Sequence, residues 1–377
     1  MINTSRLLDM FLKLAALDSP SLNEEKVCSA IKAILAEHDI DFIEDVAGIA
    51  GGVCGNLICR LPASPNVPQL GIMFSAHMDT VTPCTSKNII VDRENDLIRT
   101  DGKTILGGDD LAGVCSILET FITLKRNNLP HGNLWGVFTI GEEIGLLGSK
   151  HIDLEKSGIT AEYAYVLDSG GAIGTCDIAG PTQNIINLNF IGKTAHAGVE
   201  PEKGINAITV AANAIAAFPQ GRIDEETTCN IGIISGGNAT NIVCGSVHAE
   251  AEVRSHSKEK LDIVTNTILT QCQKTSESFN ASFDSEVQNV YPAYSIETTS
   301  KVVTNFSNAC KRLGITPSFE KTGGGSDTNF FNGKGLPSVN LSVGMNKVHT
   351  TEECLKISEL NTACALVCEL AQAQTEN

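Results

Sequence analysis

The sequence predicts an α/β protein: a mixed, largely parallel sheet flanked by helices, with an α+β domain of ferredoxin-like order inserted into it. Three observations predict it. Apolar strand-like runs alternate with helical stripes up to about Leu167, which is the pattern of a largely parallel sheet. Acidic and imidazole clusters recur at roughly the ~30-residue length of one βαβ unit. After Gly180 and Pro181 the pattern changes to strand, helix, two strands, helix and strand, before the helix–strand alternation resumes near Ile296. With 377 residues the chain exceeds the about 250–300 at which one core stops growing, so two domains are expected.

The elements follow in order. Leu7, Leu8, Phe11 and Leu14 form one helical stripe, and Ser21 with Glu24 reads as a capping box that opens a second helix through about Glu37. Strands are predicted over 71–76, 134–140 and 163–167, with helices over 110–125 and 146–157 between them. In the inserted part, NIINLNFIG, CNIGIISG and VHAEAEVRS alternate as strands, 204–217 and 258–275 are helical, and a strand near 285–291 closes the unit. A helix over 302–313, a strand over 338–343 and a helix from Ile357 complete the first domain. The expected boundaries are therefore 1–181, 182–292 and 293–377.

Composition narrows the partners. A net charge of −17, from 27 basic against 44 acidic residues, argues against nucleic acid and anionic membrane, both polyanions. The 13 cysteines are odd in number and never form a C-x-x-C pair, so they read as reduced thiols rather than a disulfide framework or zinc ribbon. Cys364 and Cys368 share a helix face without a nearby histidine and read as core. The opening TSRLLDMFLKLAAL is broken by Asp9 and Lys13, unlike a signal peptide, and no segment approaches the ~20 apolar residues of a membrane span. The expected location is the cytoplasm.

The chemistry lies in the clusters. The apolar run GIMFSAHMDT ends on His77 and Asp79; Asp109 with Asp110 follows about 32 residues on, Glu142 with Glu143 about 33 further, Asp168 about 25 beyond that, and His349 lies near the C-terminus. Open α/β sheets place ligands at the carboxyl ends of their strands, so this spacing brings the clusters to one edge. Imidazole and carboxylate together, without cysteine, suit zinc, manganese or cobalt in a hydrolytic site. A lone His-x-Asp says little; the joint placement carries the reading. The Gly-rich stretch 323–327 lacks the lysine and spacing of a phosphate-binding loop. His131, His151, His248 and His256 have no companion ligand at useful spacing and read as structural or surface residues.

The motifs AHMDTV, LGGDDLAGV, GEEIGLLGS, LDSGG, HAG, TGGGSDTNFFNGKGLPSVNL and VHTTEE resemble the dinuclear zinc peptidases of the peptidase T and carboxypeptidase G2 type, most closely the peptidase T-like group, over essentially the whole chain. The resemblance implies a catalytic domain carrying two divalent metal ions, zinc with cobalt or manganese as alternatives, interrupted by a lid domain that also forms a homodimer. It implies His77 and Asp168 on one metal, Glu143 and His349 on the other, Asp109 bridging, and Glu142 as catalytic base. Three carboxylates and a bridging hydroxide would balance two divalent ions, and metals ~3.5–4 Å apart can share and acidify a water. Asp79 is expected beside His77, fixing its tautomer. Asp110 is an alternative bridge, but the family's pattern aligns the first aspartate of the pair and places a cis peptide after it. His196, Asn241 and Arg254 match substrate-holding positions, with Gly324 and Gly325 in a backbone-donor loop. The implied activity is hydrolysis of short peptides by an exopeptidase, a tripeptide aminopeptidase first, with dipeptidase, carboxypeptidase and N-acyl amino acid amidohydrolase as alternatives. Leu111 stands where lysine is common after the aspartate pair, which leaves the choice among them open.

Overall fold

The longest apolar runs become the middle of the large sheet. In the computed structural model, which describes residues 2–45, 52–68 and 71–372, the strands Gly71–His77 and Asn133–Thr139 are buried at every position. Strands covered on both faces read as continuous hydrophobic stretches rather than alternating ones. Asn133–Thr139, Gly71–His77, Tyr163–Gly170 and Ser338–Asn346 lie side by side and parallel. Antiparallel strands extend both flanks: Leu57–Leu61 and Asp41–Glu44 on one side, Cys354–Lys356, Leu97–Thr100 and Ile89–Asp92 on the other. The sheet is thus mixed with a parallel centre.

The main core joins this sheet to the helices Thr4–Ala15, Gly108–Arg126, Lys301–Arg312 and Ile357–Gln372 through Phe11, Phe74, Phe121, Tyr165, Val303 and Leu360. A second cluster around Trp135, Met73, Val137 and Phe331 covers other strand positions. Gly113 permits the closest approach of helix to strand, since a Cβ there would lie 2.6 Å from the Leu167 carbonyl oxygen and 2.4 Å from Asp110 Oδ1. The first unit comprises Met1–Ala179, Ser295–Thr322 and Ser326–Asn377.

The second unit comprises Gly180–Tyr294 and Gly323–Gly325. Its antiparallel sheet runs Gly221–Arg222, Thr227–Gly236, Ser246–Ser255, Thr182–Ile191, Ser282–Tyr291, the ferredoxin-like order with a short added edge strand. The helices Ala207–Ala217 and Lys258–Ser278 cover its apolar face, where Ile186, Leu188, Phe190, Val253, Leu261 and Ile268 are buried. Burial alternates along Ser246–Ser255, as expected for a half-covered strand.

Two expected local features differ. The second helix spans Glu25–Glu37 without a side-chain cap: Ser21 Oγ donates to the Asp79 carboxylate at 2.7 Å instead, and Glu24 Oε1 accepts from Leu22 N at 2.8 Å and Gly141 N at 2.9 Å. Buried acceptors elsewhere win over the local cap. The helix expected over 146–157 is only Leu147–His151, because Ile152 turns extended (ψ 134°) and Asp153 then caps its own turn by accepting from Lys156 N. The helix Asp327–Gly333 carries no strong periodicity in the sequence, and Ser326 N donates to Asn329 Oδ1 at 3.0 Å at its start.

Candidate metal centre and active site

The carboxyl ends of the parallel strands deliver the ligands to one place. His77 is the last residue of its strand, Asp168 lies near the end of the next, and the chain turns at Gly141 (φ 57°) from Thr139 into Glu142 and Glu143. Asp109 and Asp110 stand at the start of Gly108–Arg126, joined by a cis peptide. His349 follows Ser338–Asn346 in a left-handed conformation (φ 62°), uncommon for a residue with a Cβ, and its imidazole faces Asp109 and Glu143.

Asp109 occupies the middle. Its Oδ1 lies 2.9 Å from His77 Nε2 and its Oδ2 lies 3.3 Å from His349 Nε2. Asp168 Oδ1 adds a contact of 3.7 Å to His77 Nε2, and the Glu143 carboxylate lies 3.0 Å from His349 Nε2. One carboxylate therefore faces both imidazoles, each of which has a further carboxylate of its own. His77, Asp110 and Asp168 also lie close enough to share an ion, as do His77, Asp109 and Glu143. Asp110, however, already accepts from His77 N (3.1 Å) through Oδ2 and from Gly113 N (3.3 Å) through Oδ1. Both Asp110 oxygens are thus engaged by main-chain amides, whereas those of Asp109 face the two imidazoles.

The electrostatics report the same crowding. Burial would lower the His77 imidazole, but the carboxylates of Asp109, Asp168 and Asp79 hold it well above its ordinary range. His349 is pushed up to about 10 by Asp109 and Glu143. Burial, reinforced by Asp109 and Glu143 against the opposing pull of His77, raises Asp168 to about 7. Burial also raises Glu142, with the charge of Asp168 adding to it. Without a cation the cluster retains protons to offset its negative charge. A divalent ion can take their place, and this donor set of imidazoles and carboxylates fits one.

Several side chains hold the ligands without joining them. His77 Nδ1 faces the Asp79 backbone carbonyl at 2.9 Å, nearer than the Asp79 carboxylate at 3.4 Å. A carbonyl only accepts, so Nδ1 keeps a proton whether or not the ring is charged, and Nε2, facing Asp109, is the nitrogen that would be freed for a metal. The tautomer is thus fixed chiefly by the main chain of Asp79 rather than by its carboxylate as expected. That carboxylate instead accepts from Glu142 N at 3.0 Å and Glu143 N at 3.2 Å, holding the segment with the proposed base. Glu353, which the sequence reading did not single out, accepts from Leu106 N, Gly107 N and Asp109 N at 2.7, 2.8 and 3.1 Å. Asn340 pairs with the main chain of Asp168 in both directions, at 2.9 and 2.7 Å. Asp327 is buried and accepts from Thr139 Oγ1 at 2.5 Å, just before the Glu142 turn.

Comparison with known proteins decides the family. The chain is 41% identical to aminopeptidase PepT from Bacillus cereus, with a TM-score of 0.89 and 100% of both chains covered. It is 36% identical to a tripeptidase from Staphylococcus aureus, with a TM-score of 0.94 and again 100% of both chains covered. Peptidase T from Salmonella arizonae is 27% identical over 356 residues, 84% of this chain and 85% of that protein. Family models described as a peptidase dimerisation domain and as peptidase family M28 match residues 185–280 and 56–196. The chain is a peptidase T-like metallopeptidase of the M20 family. It is accordingly a metal-binding hydrolase, and the carboxylate–imidazole cluster is the part of this M20 peptidase suited to metal.

In the second unit of this peptidase, Ala197 N donates to Asn241 O at 2.9 Å and His196 bridges to Ile242, so the loops carrying His196 and Asn241 are neighbours, both side chains exposed. Arg254 donates to Glu252 at 3.1 Å and to the Gly323 carbonyl at 3.4 Å, while its buried Nε has no acceptor among the described residues. Gly325 packs flat on Tyr291, where a Cβ would come within 2.3 Å of the ring. No helix among the described residues is long and apolar enough to cross a membrane.

Proposed function

We propose that this peptidase is a tripeptide aminopeptidase working with two divalent metal ions, zinc first and cobalt or manganese as alternatives. The observation that carries the reading is the Asp109 carboxylate with one oxygen towards His77 and the other towards His349. In this reading His77 and Asp168 would hold one ion, Glu143 and His349 the other, and Asp109 would serve both. Ions bound there would supply a water of lowered pKa and polarise the scissile carbonyl. Glu142, buried and with its carboxyl raised, takes the proton of the attacking water and passes it to the leaving amine. Asp79 keeps Glu142 in reach through the main-chain amides it accepts.

His196, Asn241 and Arg254, with the backbone of Gly324 and Gly325, are proposed to hold the peptide. The match of the HAG, TNIV and EVRS segments to the family supports this, as does the Arg254 Nε left without an acceptor. The dimerisation-domain match over 185–280 supports a homodimer through the second unit, and Ile233 and Ile234, 51% and 57% exposed on Thr227–Gly236, are apolar surface available for it. Thirteen free cysteines support a cytoplasmic location.

Hydrolysis of free tripeptides, dipeptides and N-acetylated peptides by the metal-loaded protein tests the reading, with Glu142→Ala as control. Cleavage of tripeptides that stops on blocking the amino terminus is expected. Preference for blocked substrates would replace it with an acylase or carboxypeptidase.

A further inference from the structure

A second cluster of reactive groups lies away from the metal centre. Cys28, Cys54 and Glu44 place two sulfurs and a carboxylate oxygen within 4.8 Å of one another. Cys28 is buried on the helix Glu25–Glu37, and Cys54 is half-buried in the segment after the strand Asp41–Glu44. Of the 13 cysteines, only Cys54 and Cys354 are not fully buried, and of these Cys54 has a thiol beside it in this cluster. It is therefore where a small oxidant from solvent meets a dithiol.

Lys32, one turn along from Cys28, pairs with Glu44, whose other oxygen accepts from Gly55 N at 2.7 Å. A fixed ammonium at this spot disfavours a bound cation and favours a thiolate. The neighbouring Cys54 side chain, and then Lys32, lower the Cys28 thiol, while Cys54 is raised by Cys28 and by burial. The geometry is that of two sulfurs within reach of one another beside a lysine, one of them open to solvent.

We propose that Cys28 and Cys54 form a reversible disulfide when the protein meets hydrogen peroxide. One sulfur takes an oxygen from the peroxide to become a sulfenic acid, releasing one water. The other sulfur attacks it, the S–S bond forms, and the sulfenic oxygen leaves as a second water. Two thiols are oxidised and one peroxide is reduced. The bond joins two supports of the segment that carries Glu142 and Glu143. Glu24, next to the helix bearing Cys28, accepts from Gly141 N, and Asn56, two residues from Cys54, accepts from Ile140 N at 3.3 Å and donates to Gly148 O at 3.1 Å.

The test is peptide mapping by mass spectrometry of the metal-loaded native protein after treatment with equimolar hydrogen peroxide, with thiols titrated in parallel. The expected result is a cross-linked peptide pair containing Cys28 and Cys54, a loss of two titratable thiols, and recovery of both with dithiothreitol. Cys54→Ser should abolish the loss and Cys354→Ser should not. A different pair forming first, irreversible oxidation of Cys54 with Cys28 still free, or a metal ion retained by the native protein and lost in Cys54→Ser would overturn the proposal.

Discussion

The candidate metal centre and the residues of the second unit proposed to hold substrate are built on opposite plans. In the first, the ligands are gripped from behind by buried acceptors satisfied by main-chain amides: Asp79 on Glu142 and Glu143, Glu353 on the loop into Asp109, Asp110 on His77. In the second, His196 and Asn241 stand exposed; a main-chain bond from Ala197 N to Asn241 O ties their loops, and His196 Nδ1 accepts only from the nearby Gly198 N at 3.2 Å among the described residues. Precision is concentrated where charge must be placed to a fraction of an ångström, and latitude is left where, on the proposed function, peptides of different sequence would be accommodated.

The comparison can be broken most forcefully at its centre. Asp109→Ala should abolish measurable turnover, because it removes the one group facing both imidazoles. Glu142→Gln should lower kcat by about 10²–10⁴-fold with metal content unchanged, which elemental analysis of the purified variant would check. Glu353→Gln, which touches no proposed ligand side chain, should still weaken metal binding or activity by about 10–100-fold, read by chelator competition. Asn241→Ala should raise KM on tripeptides while metal affinity and thermal unfolding stay as in the native protein; a change in metal affinity would erase the contrast between the units.

The smallest effect concerns pH. His349 is held up at about 10 in the metal-free protein against an ordinary 6.5. The stability it contributes is complete below about 6.5 and is lost as pH rises through about 10. Denaturant unfolding of the chelator-treated protein should show this loss, reduced in His349→Asn. Because His349 is half exposed, the difference should be modest.

Much of this was legible in the sequence. His77, Glu142, Glu143 and Asp168 close or follow apolar runs, so strand ends locate them, and their recurrence at the length of a βαβ unit gives away the parallel centre. The antiparallel second unit was readable from clean alternation, as in Ser246–Ser255. The supports were not legible. Glu353 acts on main-chain amides 244 to 247 positions away, Asn340 on Asp168 at 172 positions, and Ser21 on Asp79 at 58. No local pattern encodes such partners. Ser21 and Glu24 even present a convincing local alternative, the capping box, which the buried acceptors override.

The central claim is that Asp109 joins two metal ions in one site, and metal content measured on native protein and on Asp109→Asn after dialysis tests it most directly. Two ions per chain, falling in the variant, is the predicted result. One ion per chain, retained when Asp109 is replaced, would contradict the account.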